Sequence, residues 1–348
     1  VLVLDNVTKV FKTGTFGGGT LPAVRGASFE IRPGEVTALI GESGSGKSTL
    51  GKMILRLTPV TSGTITFEGT DIAILKGKQL REYYRHVQGV FQDPFSSYNP
   101  VYRADRVFAT IRHSYYPGVG ADEWRERVDK ALESVGLNPV DVRDKFTHQL
   151  SGGQLQRILI ARALLLDIKL LIADEIISMI DASTRVDVLN LLANLKTRGL
   201  GVLFVTHDLS LGNYISERTI ILRRGAVVEM GATAKVFDNP QHEYTRMLLT
   251  SVPQLHKKWE AESGPELETT RVAPAHDEGR PGRYSKSSLH PLAGMRARKG
   301  RRAQAAVTER DLAAGLLRTD TYLRTHEEVL PLVEVEEDHF VATSTGAR

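Results

Sequence analysis

Residues 41–48 read Gly-Glu-Ser-Gly-Ser-Gly-Lys-Ser, a spacing suited to holding phosphate. Glycines let successive backbone N–H groups curl around phosphate oxygens, and a helix that follows turns its positive end toward them. Gly41, Glu42, Ser43, Gly44, Ser45, Gly46, Lys47, Ser48 and Thr49 would then form an ATP-binding loop. Lys47 would reach the β- and γ-phosphates, and the Ser48 hydroxyl would bind Mg²⁺. An ordinary Gly-rich turn has the same composition but lacks a strand before it and a helix after it. Farther along, Asp174 and Glu175 close the apolar run Leu170–Ala173. Two acids at the end of a buried strand are costly unless they hold a cation or a reacting water. Asp174 is then the Mg²⁺ contact and Glu175 the general base. Taken alone, the pair fits equally well a solvated acid pair at a helix start. The pentapeptide Leu150-Ser-Gly-Gly-Gln154 offers a second anion site, with a serine and two glycines opening a helix. It would also make a plain capped helix. The loop at 41–48 already accounts for this chain's own nucleotide, so a second such site makes sense against the γ-phosphate held by another subunit. Gln92 follows a strand and His207 precedes a helix. By itself, each reads as an ordinary polar residue.

Several elements must position these groups. Val1–Leu4, Val24–Ile31 and Glu35–Ile40 have the β-branched and apolar content of strands, with turns at Gly17–Gly19 and Pro33-Gly34. The last strand runs into the glycine loop, and a helix is expected from Ser48 to about Leu57. Thr64–Phe67 and Val87–Phe91 read as strands, the second delivering Gln92. From 93 to 165 prolines punctuate a mostly helical inserted subdomain, with helical spacing at Trp124, Val128, Ala131, Leu132 and Val135. Ser151 or Gly152 caps a helix to about Leu166. Leu170–Ala173 and Gly201–Val205 are continuous apolar runs, as in strands covered on both faces. Asp181–Arg198 is helical, with apolar positions at Val186, Leu189 and Ala193. Strands alternating with helices predict an α/β fold around a parallel sheet. Lys257–Gly300 is rich in glycine, proline, serine and charge and reads as a linker or loosely packed extension, and the basic cluster Arg296–Arg302 reads as a solvated charge run in preference to a contact with acidic phospholipid or RNA. Val329–Val335 and Phe340–Ala342 read as short closing strands.

The 348 residues are 41% hydrophobic and 25% charged, within the range of globular proteins, and suffice for one large domain or two smaller ones. Without cysteine, the chain has no disulfide, no thiolate metal site and no iron–sulfur cluster of its own. A net charge of +4, from 45 basic and 41 acidic residues, does not argue for a nucleic-acid partner. No apolar stretch approaches the roughly 20 residues of a membrane span, and Val1–Asn6 does not resemble a secretion signal.

Taken in order, these motifs resemble those of the ATP-binding subunit of an ABC transporter, over about residues 1–253. The resemblance implies a P-loop NTPase-type α/β cassette with an N-terminal antiparallel β subdomain and a helical subdomain. It implies, too, that residues 254–348 are a C-terminal extension with a flexible linker. It also implies a head-to-tail pair of cassettes in which Ser151, Gly152, Gly153 and Gln154 meet the partner's ATP. Gln92 would sense Mg²⁺ and the attacking water, His207 would hold the γ-phosphate, and Asp181 would lie in the interface loop. Phe11 would stack on adenine, although Phe16 lies close in sequence. The family usually has Pro-Thr after the acidic pair, where this chain has Ile176-Ile177, while Ser178 and Asp181 persist.

Phe91–Pro100 and Asn239–Arg246 with Leu248, Leu249, Val252 and Pro253 resemble the oligopeptide and dipeptide importer branch, as does Glu334–Ala342. The function implied is ATP hydrolysis that powers peptide import. The alternatives are a related oligosaccharide importer, a non-hydrolysing regulatory cassette, or a soluble ABC ATPase outside transport. The implied partners are a second cassette, with a heterodimer preferred, two membrane permeases and an extracytoplasmic solute-binding protein. The implied location is peripheral, on the cytoplasmic face of the membrane.

Overall fold

The computed structural model describes residues 2–12, 19–178, 180, 182–251 and 329–343. The expectations for Phe16, for the glycine turn before Gly19, for Asp181 and for the linker with its basic cluster lie outside the described residues.

Two sheets carry the chain. The smaller is antiparallel, in the order β2 (Thr20–Ile31), β1 (Leu2–Lys12), β4 (Ser62–Phe67), β5 (Thr70–Asp71). The larger is built on β3 (Val36–Ile40), β6 (Val87–Val90), β7 (Leu170–Asp174), β8 (Gly201–Thr206) and β9 (Arg218–Arg223), all parallel. Every residue of β3, β7 and β8 is buried, the signature of strands covered on both faces.

The larger sheet is mixed, which departs from the all-parallel expectation. β10 (Ala226–Ala232) folds back on β9 through Arg224-Gly225, and both residues have positive φ, as a two-residue hairpin turn requires. β12 (His339–Ala342) then pairs with β10, and β11 (Leu332–Glu336) pairs with β12. The closing strands expected from sequence therefore extend the central sheet, in the order β11-β12-β10-β9-β3-β8-β7-β6. Arg218 pairs with Asp338, and Lys235 donates to the Glu337 carbonyl, so the turn of this last hairpin is held by side chains as well as by the ladder.

Alternation along the strands divides the core. Leu39, Leu170, Ile172, Leu203, Val205, Ile220 and Leu222 face the small sheet and α1 (Lys47–Ile54), which contributes Leu50, Met53 and Ile54. The opposite side of the sheet supplies Val36, Leu171, Ala173, Val202 and Phe204 to a second cluster. There they pack with α3 (Arg106–Tyr115), α4 (Ala121–Ser134), α5 (Pro139–Val142), α6 (Gly152–Leu164) and α7 (Ala182–Thr197). Ala38, Ile40 and Ile221 join α8 (Leu209–Ile215), α9 (Thr233–Asp238) and α10 (Glu243–Thr250) in a third, smaller cluster.

Three local details differ from the sequence reading. α1 stops at Ile54, short of Leu57, because the chain turns left-handed at Arg56, whose guanidinium donates to the Leu75 carbonyl at 2.7 Å. In α7, Val186 is half exposed, and the buried stripe runs through Val188, Leu189, Leu191, Leu192 and Leu195. α2 (Gly77–His86), β9, β10, α9 and α10 had not been anticipated, whereas α8 is the helix expected after His207.

Candidate active site

Register brings four of the predicted groups to one border of the sheet. Ile40 lies beside Thr206, Asp174 beside Val205 and Val90 beside Ala173, so β3, β6, β7 and β8 end together. The glycine loop, Gln92, the Asp174-Glu175 pair and His207 follow directly from those ends. The carboxyl ends of parallel strands are where open α/β sheets bind ligands.

The loop is held from several sides. Gly46 caps α1 with φ +108°, and a Cβ built there would fall 2.3 Å from the Ala23 carbonyl, so only glycine fits. The Ser45 carbonyl accepts from Gly225 N–H at 2.8 Å, tying the loop to the β9–β10 turn. The buried Lys47 ammonium donates to the Gly41 carbonyl at 2.6 Å and the Glu42 carbonyl at 2.9 Å. Burial lowers its pKa, and Glu175, Asp174 and Glu42 oppose that shift. Ser43, Gly44 and Thr49 occupy the remainder of the loop and the first turn of α1, and Ser43 and Gly44 are exposed.

Ser48 Oγ donates to Asp174 Oδ1 at 3.2 Å. Burial raises the Asp174 pKa, which the Ser48 hydrogen bond and Lys47 offset only in part. A buried carboxylate short of positive charge, beside a hydroxyl, is a hard-oxygen pair that suits Mg²⁺. Among the described residues no cluster of three or more His, Cys, Asp or Glu could hold a metal. A cation here would therefore share its coordination with phosphate and water, as Mg²⁺ usually does.

Glu175 has a left-handed backbone (φ +50°), and its N–H still donates to the Val205 carbonyl at 2.9 Å. Ser178 supports the bend from below, its hydroxyl donating to the Glu175 carbonyl at 2.8 Å. The bend leaves the Glu175 carboxylate 3.4 Å from His207 Nδ1, with the imidazole largely exposed. Ile176 and Ile177, which stand where the family has Pro-Thr, are both buried in the helical-side core. Gln92 is exposed. Just before it, Gln156 Nε2 of α6 donates to the Phe91 carbonyl at 3.2 Å.

Ser151 is the N-cap of α6. Its Oγ accepts from Gln154 N–H at 3.2 Å, and Gln154 Oε1 accepts from Ser151 N–H at 2.9 Å, a reciprocal capping box. Gly152 is partly and Gly153 fully buried in this first turn. Phe11 sits on β1 opposite Leu21, two positions from the Ala23 that meets Gly46, and Lys9 Nζ lies 5.0 Å from its ring centre. Besides the Gly225 tie, sequence reasoning missed a contact to the loop from far along the chain. The Tyr244 hydroxyl on α10 accepts from Glu42 N–H at 3.3 Å. The two residues are 202 positions apart, so no local pattern could have paired them.

A strand–glycine loop–helix unit on a sheet whose parallel strands end at one border is the architecture of a phosphate-loop nucleotide-binding protein. Residues 24–178 match the family model described as ABC transporter, and residues 228–278 match that for the oligopeptide/dipeptide transporter C-terminal region. A putative peptide import ATP-binding protein of Brucella ovis is 43% identical over 236 residues, 67% of this chain and 74% of that one. The oligopeptide transport ATP-binding protein OppF of Salmonella typhimurium is 39% identical over 235 residues, 67% and 70% of the two chains. A dimeric ATP-binding cassette solved in a post-hydrolysis state with ADP and Pi superposes with a TM-score of 0.60 at 30% identity, covering 67% of this chain and 99% of that one. The chain belongs to the ABC transporter family, as one of its ATP-binding subunits.

Proposed function

We propose that this chain hydrolyses ATP to drive import of oligopeptides or dipeptides through a membrane permease. The observation that carries the reading is the meeting of the glycine loop, Asp174-Glu175, Gln92 and His207 at one sheet border, in a chain with peptide-import relatives.

The loop N–H groups and the α1 N-terminus bind the phosphates, and Lys47 exchanges a loop carbonyl for phosphate oxygen. Ser48 and Asp174 hold Mg²⁺, with Gln92 contributing a further oxygen; when bound, the ion neutralises charge on the phosphates. Glu175 accepts the proton of the attacking water, and His207, 3.4 Å from it, orients the γ-phosphate. Phe11 offers a face to adenine. Ser151, Gly152, Gly153 and Gln154 close over the nucleotide of a second cassette, with Asp181 in the loop between the two. The assembly contains a different cassette, two permeases and an extracytoplasmic binding protein, with this chain on the cytoplasmic face of the membrane. Among the described residues no helix is long and apolar enough to cross a membrane.

Glu175→Gln tests the chemistry. It should leave ATP affinity within about twofold and slow phosphate release by about a hundredfold or more, the scale of losing a general base. Phosphate release at the parental rate would remove Glu175 from the reaction. Uptake of a labelled peptide by vesicles carrying the assembled transporter tests the cargo, and uptake of oligosaccharide in its place would reassign it.

A further inference from the structure

A trans peptide plane turns its C=O and its N–H to opposite sides. The plane between Gly41 and Glu42 is held at both ends. Its carbonyl accepts from Lys47 Nζ at 2.6 Å, and its N–H donates to the Tyr244 hydroxyl at 3.3 Å. Rotation of this plane would move the carbonyl that anchors the ammonium. Tyr244 is thus coupled to Lys47 through one rigid unit, without touching it.

Tyr244 is itself tightly placed. It is buried, Arg223 lies 5.1 Å from its ring centre, and burial raises the phenol pKa, which keeps the hydroxyl protonated. Its own N–H donates to His242 Nδ1 at 3.1 Å, the N-cap contact of α10. The start of α10 is anchored on Glu229 of β10. Gln241 N–H donates to Glu229 Oε1 at 2.8 Å, and His242 N–H donates to Oε2 at 3.0 Å. Glu229 is fully buried, and it also meets His339 Nε2 of β12 at 2.8 Å. His339 is also fully buried, and its Nδ1 meets Glu336 of β11 at 2.9 Å. A series of hydrogen bonds, joined through the His242 and Tyr244 side chains, therefore links the closing hairpin by way of Glu229 and the α10 N-terminus to the phosphate loop. A buried carboxylate needs every one of these partners, so loss of one shifts the group it anchors.

We infer that Tyr244 is a positioning residue for the phosphate loop, and that the β11–β12 hairpin sets its place through the His339–Glu229 pair. The inference rests on the reading of residues 41–48 as the nucleotide loop. The hydroxyl presets the Gly41–Glu42 plane, and with it Lys47, before nucleotide arrives. Removing it imposes that ordering on the binding step.

The test uses the purified full chain, a fluorescent ATP analogue with Mg²⁺, and amide hydrogen exchange followed by mass spectrometry. Tyr244→Phe keeps the ring and deletes only the hydroxyl. It should weaken binding about threefold to tenfold, the scale of one hydrogen bond, and speed exchange in peptides covering 41–48. The thermal midpoint should stay within about 2 °C of the parent, since surroundings and volume are kept. His339→Gln, which keeps a donor but not the imidazole span between Glu229 and Glu336, should speed exchange at the α10 start and in the loop alike. Lys47→Ala is the control on the underlying reading and should lose binding. If Lys47→Ala binds as the parent does, the nucleotide reading fails. If Lys47→Ala loses binding while Tyr244→Phe keeps parental affinity and loop exchange, the positioning role is wrong. Faster exchange spread through all peptides of Tyr244→Phe, or a tighter affinity, would also overturn it.

Discussion

Side chains at the loop carry opposed electrostatic demands. Burial lowers the Lys47 pKa and raises that of Asp174, the two directions expected when opposite charges are drawn out of water side by side. His242 shows the same physics away from the reaction. Burial lowers its pKa, Arg223 and Arg246 lower it further, and Glu229 and Glu243 oppose them. Its Nδ1 must be unprotonated to accept from Tyr244 N–H. A base whose folded pKa is depressed stabilises the fold above its ordinary range, and that contribution is lost as pH falls through the depressed value. Amide exchange at the start of α10 should therefore quicken relative to the unfolded rate between about pH 7 and 5. His242→Asn, which caps without titrating, should flatten the dependence, and a pH response that survives in that variant would assign it elsewhere. The site was legible at this scale because its groups sit in short local motifs. Residues 41–48 and 174–175 announce themselves by type and spacing, whereas Tyr244 reaches Glu42 only through the tertiary fold.

Among the elements, α6 does two things with one residue. Ser151 caps the helix, and in the proposed assembly it meets the partner's nucleotide. The two roles separate by substitution. Ser151→Ala should cost about 1 kcal/mol, read as a melting midpoint lower by about 2–4 °C. Ser151→Asn should recover that loss, because its amide oxygen can cap, yet leave the assembled transporter's ATP turnover depressed. Full turnover by Ser151→Asn would leave the residue a cap alone. Strands buried on both faces were readable as apolar runs, and α4 as a periodic stripe. α2 was not, because Tyr83 is its one buried residue and, Leu80 and Tyr84 apart, the rest of Gly77–His86 is glycine, polar or charged. Val186 misled for a related reason. A helix packed on one side exposes some apolar residues, and type alone does not say which.

The molecule as a whole joins two sheets, with the nucleotide loop where β3 leaves the core that they share. The sequence announced the closing strands but not their destination, because pairing with β10 brings together segments about a hundred residues apart. That destination governs more than the loop. Without β11 and β12, the last strand of the sheet would be β10, whose Val227, Val228 and Met230 would border a row of unpaired backbone groups. Such a rim is a template for another chain, and proteins blunt it with charge. Among the described residues the outermost strand is β11, and its Glu334 and Glu336 are exposed. A chain ending at residue 328 should scatter light and elute as high-mass species in size-exclusion chromatography, where the full chain stays dispersed. The acidic fringe on the final hairpin thus acts as a gatekeeper for colloidal stability, discouraging edge-to-edge stacking of cassettes in a crowded cell.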